Sequence, residues 1–209
     1  MNEDRSALTI ETYNKIAEIY TNKYFEDLVD IPYIDRFLTL IPNNSKILDV
    51  GCGPGNFSAY IRNKGFDIQG IDLSKEMLKV ANKKVPKVKF ELMDMRDLKF
   101  SSNSFEGLLV AYSLIHIPSN EILNTLKGFN KILKNDGKIL IIAQAGEPDR
   151  IVDETLVKGR KIFINFFTRN KLKNYLESTG FEVLFQKEKQ TKDLYSFSNR
   201  VIYTIAIKH

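Results

Sequence analysis

The stretch Leu48-Asp49-Val50-Gly51-Cys52-Gly53-Pro54-Gly55 decides how this chain is read. Lys46 to Val50 is a short apolar strand, and three glycines at alternate positions stop it. Glycine carries no side chain and reaches backbone conformations closed to other residues, so a ligand can come close to the main chain at such a turn. Between a first strand and its helix, the turn sits at the mouth of a sheet. Tight strand-to-helix turns need glycine in any case, so the loop alone names no ligand.

Working outward, a helix follows the loop to about Lys64 and ends at Gly65. Phe66 to Ile71 reads as a second strand, and Ser74 caps a helix to about Lys84. Val88 to Leu92 and the apolar Phe105 to Ala111 are the next strands; Pro118 to Leu133 is helical, and Gly137 turns into a strand from Lys138 to Ala143. Strands that alternate with helices give a parallel sheet covered on both faces. Residues 144–167 read as irregular. Thr168 caps a helix to about Thr179, and two late strands, 181–189 and 198–207, pair antiparallel. Upstream of the loop, Ser6 to Tyr24 is helical, with Ile10, Tyr13, Ala17, Tyr20 and Tyr24 on one stripe. A second helix spans about Pro32 to Leu40. The expected fold is a Rossmann-like, doubly wound, mostly parallel seven-stranded sheet with an antiparallel C-terminal strand, in three α/β/α layers. We expect one domain over 1–209.

Composition narrows the class. With 209 residues, 43% hydrophobic and 27% charged, the chain supports one sizeable core. Cys52 is its sole cysteine, which excludes a disulfide scaffold and fits a reducing, cytoplasmic setting. The longest apolar run, Ile139 to Ala143, is far below the ~20 residues of a membrane span. The acidic opening Met1-Asn2-Glu3-Asp4-Arg5 does not resemble a secretory signal. The net charge is +5, but 23 of the 31 basic residues are Lys, the ordinary surface cation, not Arg, the planar phosphate reader. Two His and one Cys make no metal cluster.

The second strand ends at Ile71-Asp72, and Asp72 stands 21 residues after Gly51. A carboxylate there can accept both hydroxyls of a ribose lying over the glycine turn. A dinucleotide and S-adenosylmethionine both bring such a ribose. The spacing Gly-x-Gly-x-Gly, Asp49 just before the loop, and Asp94 after the third strand favour the second, which carries an ammonium and a sulfonium where a dinucleotide carries pyrophosphate.

The segment 46–143 resembles the core of class I S-adenosylmethionine-dependent methyltransferases. The likeness is carried by Ile47 to Gly55, by Gly70-Ile71-Asp72-Leu73-Ser74 with Met77, by Met93 to Leu98, by Phe105-Glu106-Gly107 with His116-Ile117, and by Leu133 to Lys138. It departs at Met93, where the family often has Gly, and at Asn135-Asp136-Gly137, where Pro-Gly-Gly is usual. The resemblance implies that Gly51, Cys52 and Gly53 contact the methionine moiety through their backbone, with Asp49 orienting its amino group. Asp72 would bind the ribose, Leu73 and Met77 would pack on adenine, Asp94 and Met95 would border its polar edge, and Ala111 would lie under the methionine portion. It makes 1–45 a helical lid whose Tyr13 and Tyr20 close the pocket, 46–143 the cofactor core, and 144–209 the substrate side.

Methyl transfer from a sulfonium is an in-line displacement, so much of the rate comes from alignment in a dry pocket. If a base is used, His116, after the fourth strand, is the candidate. Phe166-Phe167-Thr168 is a candidate far wall for the acceptor. No Asn-Pro-Pro-aromatic tetrapeptide follows the fourth strand, which argues against amino groups of nucleic acid or protein as targets. The leading expectation is a small-molecule methyltransferase, monomeric or homodimeric, using S-adenosylmethionine and releasing S-adenosylhomocysteine. An RNA or nucleic-acid methyltransferase, with Lys79, Lys83, Lys84, Lys87 and Lys89 as its basic face, is the alternative; a non-catalytic S-adenosylmethionine-binding module is the third reading.

Overall fold

The computed structural model describes residues 5–27, 29–146, 149–193 and 196–209; the acidic opening at residues 1–4 lies outside them. Its main sheet has seven strands. β1 (Lys46–Val50), β2 (Asp67–Asp72), β3 (Lys89–Leu92), β4 (Phe105–Ala111) and β5 (Leu133–Gln144) run parallel, and β9 (Arg200–Lys208) joins β5 antiparallel with β8 (Phe181–Gln190) outside it. The order is β3-β2-β1-β4-β5-β9-β8. The chain therefore winds outward in both directions from the β1–β4 pair, and ligands in such sheets bind at the carboxyl ends of the strands beside that switch point.

Alternation along the central strands builds two cores. Leu48, Val50, Leu108, Val110, Ile139 and Ile141 face one side, where α5 (Ile122–Ile132) and α6 (Arg169–Glu177) supply Leu126, Phe129 and Leu172. Ile47, Leu109, Leu140 and Ile142 face the other, under Phe37 of α2 (Ile31–Leu38) and Ile61 of α3 (Asn56–Asn63). Neighbouring strand residues point to opposite faces, so the near-continuous apolar runs serve both layers at once.

The capping residues act as expected. Ser74 accepts from the Met77 N–H at the start of α4 (Lys75–Lys84), and Thr168 accepts from the Lys171 N–H at the start of α6. α1 (Arg5–Tyr24) lies across α4 and the strand β7 (Lys161–Ile164). Its buried residues are three threonines with Ile16 and Ala17, and polar bonds add to their packing. Thr12 donates to the Lys161 carbonyl at 2.8 Å, and Asn14 Oδ1 accepts from Ser74 Oγ at 2.8 Å. The tyrosine stripe of α1 is not its buried face: Tyr13, Tyr20 and Tyr24 are only half-buried.

Four expectations are corrected. Residues 144–167 are not irregular throughout: β6 (Arg150–Asp153) and β7 form a two-stranded hairpin paired Arg150 to Ile164 and Asp153 to Lys161. Four residues, half of them charged in β6, are too few for periodicity to register. The helix expected from Pro118 begins only at Ile122. Proline disfavours a helical residue before it, and Ile117 is indeed extended (φ −94°, ψ 126°), so a separate 3-10 turn, Leu114–His116, precedes it. β5 begins at Leu133, with a register shift opposite Phe105 and Gly107 that takes up Asn135-Asp136-Gly137. Phe166 and Phe167 are core residues with essentially no exposure, not an acceptor wall.

Ser74→Ala should lower stability by about 1–2 kcal/mol in chemical denaturation, since it removes both the α4 cap and the bond to Asn14, while Ser74→Thr should retain most of it.

Candidate functional site

The glycine turn is fixed from two sides. The Gly51 and Cys52 N–H groups both donate to the Ile71 carbonyl (2.8 and 2.9 Å), and the Gly53 N–H donates to Asp72 Oδ2 at 2.8 Å. From β4's end, Ser113 donates to the Val50 carbonyl at 2.5 Å. Gly51 has φ +72°, and a Cβ built there would stand 2.3 Å from that of Ser113. No other residue fits. A Cβ at Gly53 would meet nothing within 4 Å, because the backbone there borders open space.

That space is a cavity of about 800 Å³, counted to its mouth, at the carboxyl ends of β1, β2 and β4. Asp72 and Gly53 stand at one side; Leu73, Met77 and Met95 supply apolar walls; Tyr13, Tyr20 and Ala111 close it. The Ser74 N–H donates to Asp72 Oδ1 and the Gly53 N–H to Oδ2, both at 2.8 Å, and the Leu73 N–H also acts on the carboxylate. A carboxylate has about four acceptor positions, so these three donors leave capacity for a further one. Burial raises the Asp72 carboxyl above its ordinary value, and the Ser74 and Gly53 N–H groups pull it back.

Asp49 and Cys52 lie under the turn and line an adjoining chamber, which shares Gly51 and Gly53 with the first. Burial pushes the Asp49 carboxyl up to about 7, against the Ser58 hydroxyl that donates to it at 2.7 Å. The Cys52 thiol is buried and raised far above its ordinary range, which keeps it protonated.

His116 also lines the cavity. Its Nδ1 lies 3.0 Å from the Phe163 carbonyl, which can only accept, so Nδ1 carries the proton. Nε2 then accepts from the Tyr13 hydroxyl at 2.9 Å. Burial lowers the His116 pKa to about 4 and drives that of Tyr13 well up, so both groups are neutral at pH 7.

Asp94 does not line the cavity. Arg96 binds its carboxylate through the backbone N–H, Nε and an Nη at 2.6–3.1 Å and holds its pKa down against partial burial, while Arg96 itself and Met93 reach the wall. Nothing in the motif indicated that pairing. Sequence reasoning also missed Tyr112, whose φ of +53° turns it into both chambers, and Gln144 and Asp30 of the second chamber. The Asp30 signal, a carboxylate just before an apolar helix, looked like an ordinary helix start. In the basic cluster, Lys79 and Lys89 are paired with Glu76 and Glu91. Among the described residues no group of His, Cys, Asp and Glu could hold a metal, and no helix is long and apolar enough to cross a membrane.

Residues 47–137 match the family described as methyltransferase domain. The chain carries a class I S-adenosylmethionine-dependent methyltransferase domain. Relatives include the methyltransferase-named protein YqeM of Bacillus subtilis (strain 168), 32% identical over 60% of this chain and 54% of that one. The ubiquinone/menaquinone biosynthesis C-methyltransferase UbiE of Rickettsia prowazekii (strain Madrid E) is 32% identical over 62% of this chain and 59% of its own. The chain spans about half the length of the curated relatives it matches. In fold, the methyltransferase domain is similar to the Burkholderia thailandensis 1,6-didemethyltoxoflavin-N1-methyltransferase, solved with its substrate and S-adenosylhomocysteine. The TM-score is 0.78 at 18% identity, over 97% of this chain and 88% of that one.

Asp49 and His116 give opposite pH signatures. A folded-state pKa raised to about 7 stabilises fully below the unfolded value near 3.8, and that stability is lost as pH rises through 7. A His pKa lowered to about 4 stabilises above the unfolded 6.5, and that stability is lost as pH falls through 4. Between pH 4 and 7, denaturation profiles of Asp49→Asn should therefore rise more steeply with pH than wild type, and those of His116→Gln less steeply.

Proposed function

We propose that the methyltransferase domain binds S-adenosylmethionine in this cavity and methylates a small-molecule acceptor. The observation that carries the reading is Asp72: its carboxylate is fixed by the glycine turn and by the start of α4, with acceptor capacity left beside a cavity at the carboxyl ends of the strands. The residues present fit the group. Open space beside Gly53 admits a ligand against backbone, the acids Asp49 and Asp72 suit a cationic ligand, and Leu73, Met77 and Met95 offer apolar faces to a base. Relatives named for quinone biosynthesis, and a structural neighbour named for methylating a toxoflavin precursor, support an acceptor of small-molecule size.

When bound, S-adenosylmethionine supplies a methyl group activated by positive sulfur. The chain's own residues do the rest. Asp72 would hold the ribose hydroxyls, and the Gly51–Gly53 backbone would orient the methionine portion. Tyr13 and Tyr20 would exclude water, and their ring faces would favour positive charge. A proton leaving the acceptor can pass to the Tyr13 oxygen while the Tyr13 proton moves to His116 Nε2, along the bond already formed. A His with a pKa near 4 is always free to accept but holds a proton weakly, so the pair suits an acceptor that loses its proton late.

Calorimetry should find that wild-type protein binds S-adenosylhomocysteine and that Asp72→Ala weakens it by roughly ten- to a hundredfold, the range for hydrogen bonds to a charged group; no binding by wild type would overturn the reading. With a turnover assay, Tyr13→Phe and His116→Gln should each lower kcat by about a hundredfold if the pair takes the proton, with the larger part of the loss outside cofactor affinity.

A further inference from the structure

Beyond the glycine turn and Asp49, the far end of the second chamber has a chemistry that the cofactor reading does not use. The chamber runs from the glycine turn past Tyr20, Tyr24 and Tyr112 to Asp30, Gln144, Asp193 and the start of β9, about 930 Å³ counted out to open solvent. Its described lining holds carboxylates at Asp27, Asp30, Asp49 and Asp193 and no Lys or Arg. Burial raises the Asp30 carboxyl; Lys189 lies near enough to offset this in part but is not part of the wall.

Two of these acids are built in. Asp30 is 4% exposed and accepts from the Tyr203 hydroxyl at 2.6 Å and the Tyr112 hydroxyl at 3.2 Å. Asp193 accepts from the Tyr24 hydroxyl at 3.0 Å. Tyr20 and Tyr24 place their ring centroids 4.7 Å apart on the same wall. Gln144, at the end of β5, is 6% exposed, and its Oε1 is a buried polar atom with no partner among the described residues. Its amide nitrogen reaches only Ser196 Oγ, at 3.4 Å. Buried polar groups are nearly always paired, so an unpaired one lining a cavity marks a place where a ligand atom completes the bond.

Carboxylates, aromatic faces and an open amide acceptor, with no Lys or Arg in the described lining, select one kind of group. We propose that this chamber receives the methyl acceptor and that the acceptor carries an ammonium group, donating to Gln144 and Asp193 beside the rings of Tyr20 and Tyr24. The assignment rests on the methyltransferase reading above. Its ligand class is a small aliphatic or aromatic amine in its charged form; carboxylates and phosphates are disfavoured by the same acids.

The test is titration of S-adenosylhomocysteine-saturated protein with n-butylamine, n-butanol and butyrate, which differ in the head group. Butylamine should bind about tenfold or more tightly than either analogue, as expected when hydrogen bonds go to a charged partner. Gln144→Leu and Asp193→Asn should each weaken butylamine several-fold and leave S-adenosylhomocysteine affinity within about twofold. Gln144→Leu should fold at least as stably as wild type, because it removes an unpaired buried group. Equal binding of the three probes, preference for butyrate, or no butylamine binding to the loaded protein would overturn the assignment. So would variants that weaken S-adenosylhomocysteine as much as butylamine, since the chamber would then belong to the cofactor. Failure of wild type to bind S-adenosylhomocysteine at all would instead remove the methyltransferase reading on which the assignment stands.

Discussion

Three backbone N–H groups of the turn after β1 end on β2: two on the Ile71 carbonyl and one on the Asp72 carboxylate. The remaining architecture is arranged around that constraint. It requires β1 and β2 to be parallel neighbours, which the α3 crossover provides, and it requires a residue without Cβ where Ser113 approaches from β4. The interaction has two effects. It closes the turn without filling it, and it orients a carboxylate toward the space that the turn leaves. Asp72 is thus a structural acceptor and, in the proposed function, a binding group at once.

The second constraint is the way α1 is attached. A helix seated on a core by apolar side chains would cover the carboxyl ends of the strands with a continuous hydrophobic face. α1 instead buries Thr9, Thr12 and Thr21 beside Ile16 and Ala17, and adds hydroxyl and amide bonds to β7 and α4. Its tyrosines are left for the cavity. This mixed docking leaves both chambers of the site roofed by half-buried tyrosine rings. The Tyr13–His116 bond joins this roof to the floor formed after β4.

What the sequence disclosed follows from the range of the interactions involved. The glycine turn, Asp72, and the caps at Ser74 and Thr168 are local and were legible from spacing alone. The parallel order and the antiparallel β9 followed from where helices are present or missing between strands. The β6–β7 hairpin was hidden because its strands are four residues long and its outer support is α1, some 150 residues away. Asp94 was read as a free acceptor, but its neighbour Arg96 takes the carboxylate, and a motif does not record which of two partners wins. Gln144, Asp30 and Asp193 come from three distant parts of the chain, and their meeting in one chamber is visible only in three dimensions. The net charge of +5 proved uninformative: the site is acidic, and at least part of the lysine surplus is paired on the surface.

The central claim is that the turn after β1 and the end of β2 together hold an adenosyl ligand. Backbone amide NMR during titration with S-adenosylhomocysteine tests it most directly, since the Gly53 and Ser74 N–H groups are bonded to the carboxylate assigned to the ribose. The expected result is that the largest shifts fall on Gly51, Gly53, Leu73 and Ser74. Saturable binding that leaves those four amides unmoved while shifting others would contradict the account.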